Sequence, residues 1–143
     1  MSDNIQTIRS LYAAAEGHSL DLEGFLSCFS EDAYVRNVPT GTDFRGPDIA
    51  LVASGMADAF PDIHREIFDL YAMNDLVVVE LAIRGTQDGP LVTPEGTVSA
   101  SGKTIDVPCC DVFRLKEGKV TSFHCYNAAS IMMQQLGLAG SKP

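Results

Sequence analysis

The sequence predicts an α+β fold, in which a curved antiparallel sheet packs with N-terminal helices around an apolar pocket. Three observations predict it. Apolar residues recur at helical spacing over much of the first 60 positions. Long strand-like stretches separated by turn signals fill most of residues 64–127. The order is helix, helix, strand, helix, then four strands in a meander and a last helix, which suits helices packed on one face of an antiparallel sheet. Long, strongly twisted strands also curl around what they enclose.

Residues 3–16 read as the first helix, with Ile5, Ile8, Leu11, Tyr12 and Ala15 on one side. Ser2 or Asp3 can cap it and Gly17 can end it. A second helix is expected from about Asp21 to Phe29, with Leu22, Phe25, Leu26 and Phe29 inward. Residues 33–38 form a short strand, and Pro39, Gly41 and Gly46 mark a loop. Pro47 and Asp48 suit the first turn of a third helix, whose stripe is Ile49, Val52, Ala53, Met56 and Phe60; Pro61 stops it. Strands follow at 64–72 and 76–87, joined by Asn74-Asp75. A loop rich in Gly, Pro, Ser and Thr spans 88–102. Strands at 103–115 and 119–127 are joined at 116–118, a helix covers about 129–136, and residues 138–143 look like a frayed tail.

The chain has 143 residues, one domain's worth, and its 45% hydrophobic content can bury a core without staples. A single domain over 1–143 is expected. Nineteen acids against ten bases give a net charge of −9, which repels phosphate backbones and anionic lipid. Neither a nucleic acid nor a membrane is an expected partner. No apolar run approaches a membrane span, and the polar start lacks a signal-peptide core, so a cytoplasmic location is the default. Cys28, Cys109, Cys110 and Cys125 make no CxxC pair, and no His stands at metal-finger spacing. They read as buried reduced thiols, in preference to a redox site at the vicinal Cys109–Cys110 pair. Without a glycine-rich phosphate loop or a ligand-spaced His/Glu cluster, no cofactor or metal is expected.

Asp111 is the first candidate for chemistry. Strand alternation gives it a face with Val107, Cys109 and Phe113, so its carboxylate points into apolar surroundings. Burial raises a carboxyl pKa, and a neutral buried acid can donate a hydrogen bond to a substrate oxygen. The other reading is an aspartate that accepts structural hydrogen bonds. Tyr12 lies in the apolar stripe of the first helix, where its hydroxyl needs a partner; it is either a donor to a ligand or a core tyrosine.

The register of the last hairpin decides what faces Asp111. A two-residue Glu117-Gly118 turn would place His124 opposite it but force a positive φ on Glu117. A three-residue loop with Gly118 alone left-handed, plus a bulge, avoids that strain. Phe123 then opposes Asp111, Cys125 and Asn127 share its face, and His124 and Tyr126 face outward. His18 reads as surface, and Met132-Met133 as packing.

The element order and several strings resemble the NTF2-like superfamily, and within it the SnoaL-like polyketide cyclases and ketosteroid isomerases. The strings are SLDLEGFLSCFSEDAYV at 19–35, FRG at 44–46, FPDIH at 60–64, IRGTQDG at 83–89 and DVFRLKEGKVTSFHCYN at 111–127. The resemblance implies a cystatin-like roll with an open cone for a small apolar organic ligand, and a homodimer through the outer sheet face. Asp111 and Tyr12 match the oxyanion-hole aspartate and tyrosine of the isomerases, whose logic is a standard example of a carboxylic acid kept neutral. Asn37 stands where the isomerases carry their basic aspartate, and an amide cannot abstract a proton at neutral pH. Gln87 stands where many SnoaL-like cyclases have a histidine. His64, beside Asp62, is the side chain that can replace the missing base, although both also suit a turn and a strand start. The expected site is therefore Asp111, Tyr12 and His64 for catalysis, with Asn37, Asp62, Gln87, Phe113, Phe123, Cys125 and Asn127 lining it. Cofactor-independent cyclisation, isomerisation or dehydration of an apolar carbonyl compound fits this set. A binding domain without turnover, or a dimerisation module whose pocket is filled by its own side chains, fits it as well.

Overall fold

A computed structural model describes residues 2–138. The order is α1 (Ser2–Ala15), α2 (Leu22–Ser27), β1 (Phe29–Asn37), β2 (Thr42–Arg45), α3 (Ala50–Ala59), β3 (His64–Met73), β4 (Leu76–Thr86), β5 (Leu91–Thr93), β6 (Gly96–Val98), β7 (Thr104–Lys116), β8 (Lys119–Asn127) and α4 (Ala129–Gln135). The main sheet runs β2-β1-β8-β7-β4-β3. Every neighbouring pair in it is antiparallel except β1 and β8, which run parallel. Register shifts in β1, β3 and β8 are the kind of bulge that bends a sheet and increases its twist.

The core lies between one face of this curved sheet and the N-terminal helices. Burial in β7 alternates strictly: Ile105, Val107, Cys109, Asp111, Phe113 and Leu115 are buried. They pair along β4, where Val77, Val79, Leu81 and Ile83 supply the same face. Ile8, Leu11, Tyr12 and Ala15 of α1 and Phe25 of α2 close over it. Phe113 packs at 4.3 Å from Phe123 and edge-on to Tyr12 at 5.9 Å.

Several boundaries depart from the sequence reading. Asp21 caps α2, accepting from Gly24 N at 3.0 Å. The helix stops at Ser27, however, and Phe29 opens a strand. Phe25 and Phe29 are one turn apart in a helical reading, and their ring contact at 5.3 Å persists across the helix-to-strand switch. The expected loop at 39–46 contains β2, whose hairpin with β1 is tied by Arg36–Asp43 contacts of 2.8 and 3.0 Å. Pro47 and Asp48 start a 3₁₀ turn rather than the α-helix itself. The expected loop at 88–102 contains the small β5–β6 hairpin. The possible caps Ser2 and Asp3 have side chains outside what is described, and so are residues 139–143 of the expected frayed tail. Leu138 is held by a hydrogen bond from its N to Met133 O at 2.8 Å.

The β7–β8 hairpin corrects the expected register. Lys116 pairs with Lys119, so the turn is the two-residue Glu117-Gly118 type, with φ of 53° and 78°. The strain on Glu117 is accepted, and an extra residue between Val120 and Ser122 then shifts the pairing. Cys125, not Phe123, opposes Asp111; Phe123 opposes Phe113. The single bulge restores the side-chain parity, so Phe123, Cys125 and Asn127 still face inward with Asp111. His124 and Tyr126 face outward, where His124 Nε2 meets Tyr34 Oη at 2.8 Å.

Candidate functional site

The site is built on the central strands β7 and β8, with α1 laid across them. Helical spacing aims Tyr12 from α1 at the sheet, and strand alternation aims Asp111 back at it. Tyr12 Oη donates to Asp111 Oδ2 at 2.6 Å. Cys109 Sγ lies 3.2 Å from Asp111 Oδ1 and 3.7 Å from Cys125 Sγ. Asn127 Nδ2 reaches both Cys125 Sγ at 3.2 Å and Asn37 Oδ1 at 3.1 Å. A line of polar groups therefore runs from the buried Tyr12–Asp111 pair to the half-buried Cys125, Asn127 and Asn37. Phe113 and Phe123 form the apolar wall beside it.

Electrostatics at the base follow from burial. Asp111 is 3% exposed, and removal from water pushes its carboxyl above the usual range. Hydrogen bonds from Tyr12 and Cys109 and the Arg65 charge offset part of that rise. Tyr12 is pushed well above its ordinary value by burial and then by the neighbouring carboxylate. The Cys109 thiol is raised by its hydrogen bond with Cys125, by burial and by Asp111. At neutral pH the phenol and this thiol stay protonated as donors, while the carboxyl is the group most readily driven between its two forms.

Other expected site residues are employed elsewhere. His64 sits at the start of β3 with Nδ1 2.5 Å from Glu16 Oε1 and Nε2 3.0 Å from Glu66 Oε1. Glu66 and then Glu16 raise its pKa. Both ring nitrogens are occupied there, and the structure does not bring the imidazole to Asp111. Asp62 Oδ1 accepts from Thr86 N at 2.7 Å, which holds the carboxyl below its ordinary range and ties the turn after α3 to β4.

Gln87 is fully buried. Its Nε2 donates to Gly89 O and Ser99 O at 3.1 Å and to Val98 O at 3.4 Å, and its Oε1 accepts from Ser101 Oγ at 2.7 Å. The amide is spent on clamping the 88–102 segment. Sequence reasoning did not single out Cys109 as a site residue, although its place two residues before Asp111 in an alternating strand puts it on the same face. Glu16, which anchors His64 and accepts from Arg65 N at 2.9 Å, gave no signal beyond being a charge at a helix end.

Two hollows open along the sheet. One, of about 730 Å³, is bordered by Tyr34, Arg45, Arg114, Lys116 and Lys119. The other, of about 810 Å³, lies among Phe68, Pro108, Tyr126 and the Val38-Pro39 corner. Among the described residues, no helix is long and apolar enough to cross a membrane.

A curved, mainly antiparallel sheet covered by N-terminal helices, with a buried Tyr–Asp pair between them, defines an α+β class of fold. Residues 8–123 match the family model of the SnoaL-like domain, and the chain belongs to that family, within the NTF2-like superfamily. A candidate SnoaL-like polyketide cyclase from Jannaschia sp. CCS1 superposes with a TM-score of 0.82 at 20% identity, covering 98% of this chain and 94% of its own. The candidate hydroxylase AclR from Streptomyces galilaeus gives 0.82 at 20% identity, covering 100% and 86%. The candidate polyketide cyclase IdmH from Streptomyces antibioticus gives 0.77 at 23% identity, covering 94% and 98%. At these identities the likeness is one of fold. No curated protein matches the chain by sequence.

Proposed function

We propose that the protein acts on a small apolar carbonyl compound, whose oxygen binds at Asp111. The observation that carries this reading is the 2.6 Å Tyr12–Asp111 hydrogen bond at the buried end of a polar line in an apolar interior. Tyr12 spends its proton on Oδ2, so it orients the carboxyl. Neutral Asp111 then has one proton to give, from the oxygen beside Cys109 and Cys125, to a ligand oxygen arriving from the Asn37–Asn127 side. A preorganised donor in a water-poor site stabilises negative charge that develops on that oxygen. Enolisation is the step such a donor favours: a water molecule takes a proton from the carbon next to the carbonyl while Asp111 donates to the oxygen that gains charge. Cyclisation, isomerisation and dehydration share that step.

A second reading, a binding domain without turnover, is supported by a specific observation. Among the described residues, no second carboxylate or imidazole is in hydrogen-bond contact with Asp111, and Asn37 offers an amide where the family resemblance implies a base. Deuterium exchange next to the carbonyl, followed by NMR for a panel of cyclic ketones in D₂O, separates the two readings. Exchange that Asp111→Asn reduces by ~10²-fold or more supports the enzyme. Binding with exchange no faster than in buffer leaves the binding domain.

The same reading includes a homodimer through the outer sheet face. Phe68 is 57% and Tyr126 48% exposed there, around the hollow floored by Pro108. Large aromatic groups left in water on one sheet face are what a partner subunit would bury. A Phe68→Glu, Tyr126→Glu double variant that sediments like wild type would remove this part of the proposal.

A further inference from the structure

We propose that Cys109, Asp111 and Cys125 form a binding site for one thiophilic divalent cation, with zinc the best fit. The inference goes beyond the ligand reading and does not depend on it, although both use the same carboxylate.

The geometry carries the argument. One ligand atom from each of the three residues lies within 4.8 Å of the other two. A tetrahedral zinc with Zn–S near 2.3 Å and Zn–O near 2.0 Å needs sulfurs about 3.8 Å apart and sulfur-to-oxygen spacings of about 3.5 Å. The observed separations are 3.7 Å for Cys109 Sγ to Cys125 Sγ and 3.2 Å for Cys109 Sγ to Asp111 Oδ1. These two edges match a bound metal to within a few tenths of an ångström, and the third, from Cys125 Sγ to Asp111, lies within 4.8 Å. Two sulfurs and a carboxylate oxygen are also a donor set that suits zinc better than magnesium or calcium, which prefer oxygen alone.

The same register argues against a disulfide. Cys109 pairs with Asn127 and Cys125 with Asp111, so the two cysteines are diagonal neighbours. Diagonal positions are typically about 7–8 Å apart, beyond the Cα spacing of roughly 4.4–6.8 Å that a disulfide spans. The sulfurs approach each other without the backbone approach that a bond requires.

The surroundings resemble those of a working metal centre. Tyr12 holds the far oxygen, Asp111 Oδ2, at 2.6 Å, as outer-sphere partners orient metal-bound carboxylates. All three ligands sit on two paired central strands. Asn127, 3.2 Å from Cys125 Sγ, borders the half-buried side from which a cation enters. A water takes the fourth position, beside the Asn127 amide. Binding releases the thiol protons to solvent. It also occupies the carboxylate, so a metal-loaded protein cannot place a ligand oxygen on Asp111.

The test uses reduced, chelator-treated full-length protein titrated with Co²⁺ as a spectroscopic stand-in for zinc. We expect thiolate-to-cobalt absorption and tetrahedral visible bands that saturate at one equivalent and are displaced by Zn²⁺. Cys109→Ser and Cys125→Ser should each weaken binding at least ~10-fold and reduce the thiolate band, and Tyr12→Phe should weaken it by ~10-fold through lost orientation. Cys110→Ser, on the opposite face of β7, and Cys28→Ser, in the segment between α2 and β1, should leave the spectrum unchanged; melting curves confirm that each variant folds. No thiolate absorption at millimolar Co²⁺, or absorption that survives both Cys109→Ser and Cys125→Ser, overturns the proposal. Binding of a naphthol to the metal-free protein, measured in the same samples, shows whether the ligand site stands or falls separately.

Discussion

Replacing Gln87 by leucine tests whether that residue is a clamp rather than a ligand contact. Leucine fits the volume and the apolar setting but removes both amide donors and the acceptor. Gly89 O and Ser99 O, each 3.1 Å from Nε2, lose their donor, and Ser101 Oγ loses its acceptor. The more distant Val98 O, at 3.4 Å, contributes less. Leaving a buried polar group unsatisfied costs about 1–3 kcal/mol, and two of these partners are only part-buried, so the sum is about 2–4 kcal/mol. For a chain of this size that lowers Tm by about 6–15 °C. Backbone bonds between Gln87 and both Gly102 and Lys103, each 2.8 Å, remain in the variant. The loss should therefore localise to 88–101, seen as faster hydrogen exchange there with β7 and β8 still protected. A melting temperature within a degree or two of wild type, with unchanged exchange, would refute the clamp.

Burial holds the Asp111 carboxyl above its ordinary value. Between the unfolded value, near 4, and the folded one, the native state binds more protons. Wild-type stability therefore falls as pH rises through that window, by at most about 1.4 kcal/mol per pH unit. Asp111→Asn cannot titrate, so urea midpoints from pH 4.5 to 7.5 in chelator-treated protein should lack that component; parallel curves would contradict it. Glu117→Asn relieves a left-handed φ of 53° and should raise stability by about 0.5–1 kcal/mol, read from the urea midpoint. His64 should titrate above a free histidine by NMR, and Glu16→Gln should lower its pKa. Because the raised value favours the cation, this pair stabilises the fold below the unfolded histidine pKa, and the contribution disappears as pH rises through the folded one. Melts showing no such loss, or an opposite trend, would argue that the Glu16 contact is not formed.

Much of the architecture is legible because periodicity reports burial. The alternation across 103–115 places Asp111 among buried partners without any structure, and the Asn74-Asp75 turn is read directly from its residue types. Phe29 shows the limit. Its spacing from Phe25 satisfies a helical stripe, yet pairing with Val120 in β8 recruits it into a strand. The register beside Asp111 escapes a local reading for a related reason. Strain at Glu117 argues against the two-residue turn locally, but the paired strands outweigh it and a bulge restores the side-chain faces. Gln87, His64 and Asp62 are candidates on residue type; besides Gly89 and Glu66, two residues from Gln87 and His64, their partners lie 11–14, 48 and 24 residues away along the chain, at separations no local pattern reveals. Cys109 and Cys125, 16 residues apart, become neighbours only through the hairpin, which explains why no metal motif is visible in the sequence.

The most direct measurement is a fluorescence titration of metal-free protein with a naphthol, comparing wild type with Asp111→Asn and Tyr12→Phe. The account expects saturable binding by the wild type, weakened ~10-fold or more in each variant because the oxygen-binding carboxyl or its orienting hydroxyl is gone. Binding of equal strength in all three folded proteins, or none in any, would contradict an oxygen-binding site at Asp111.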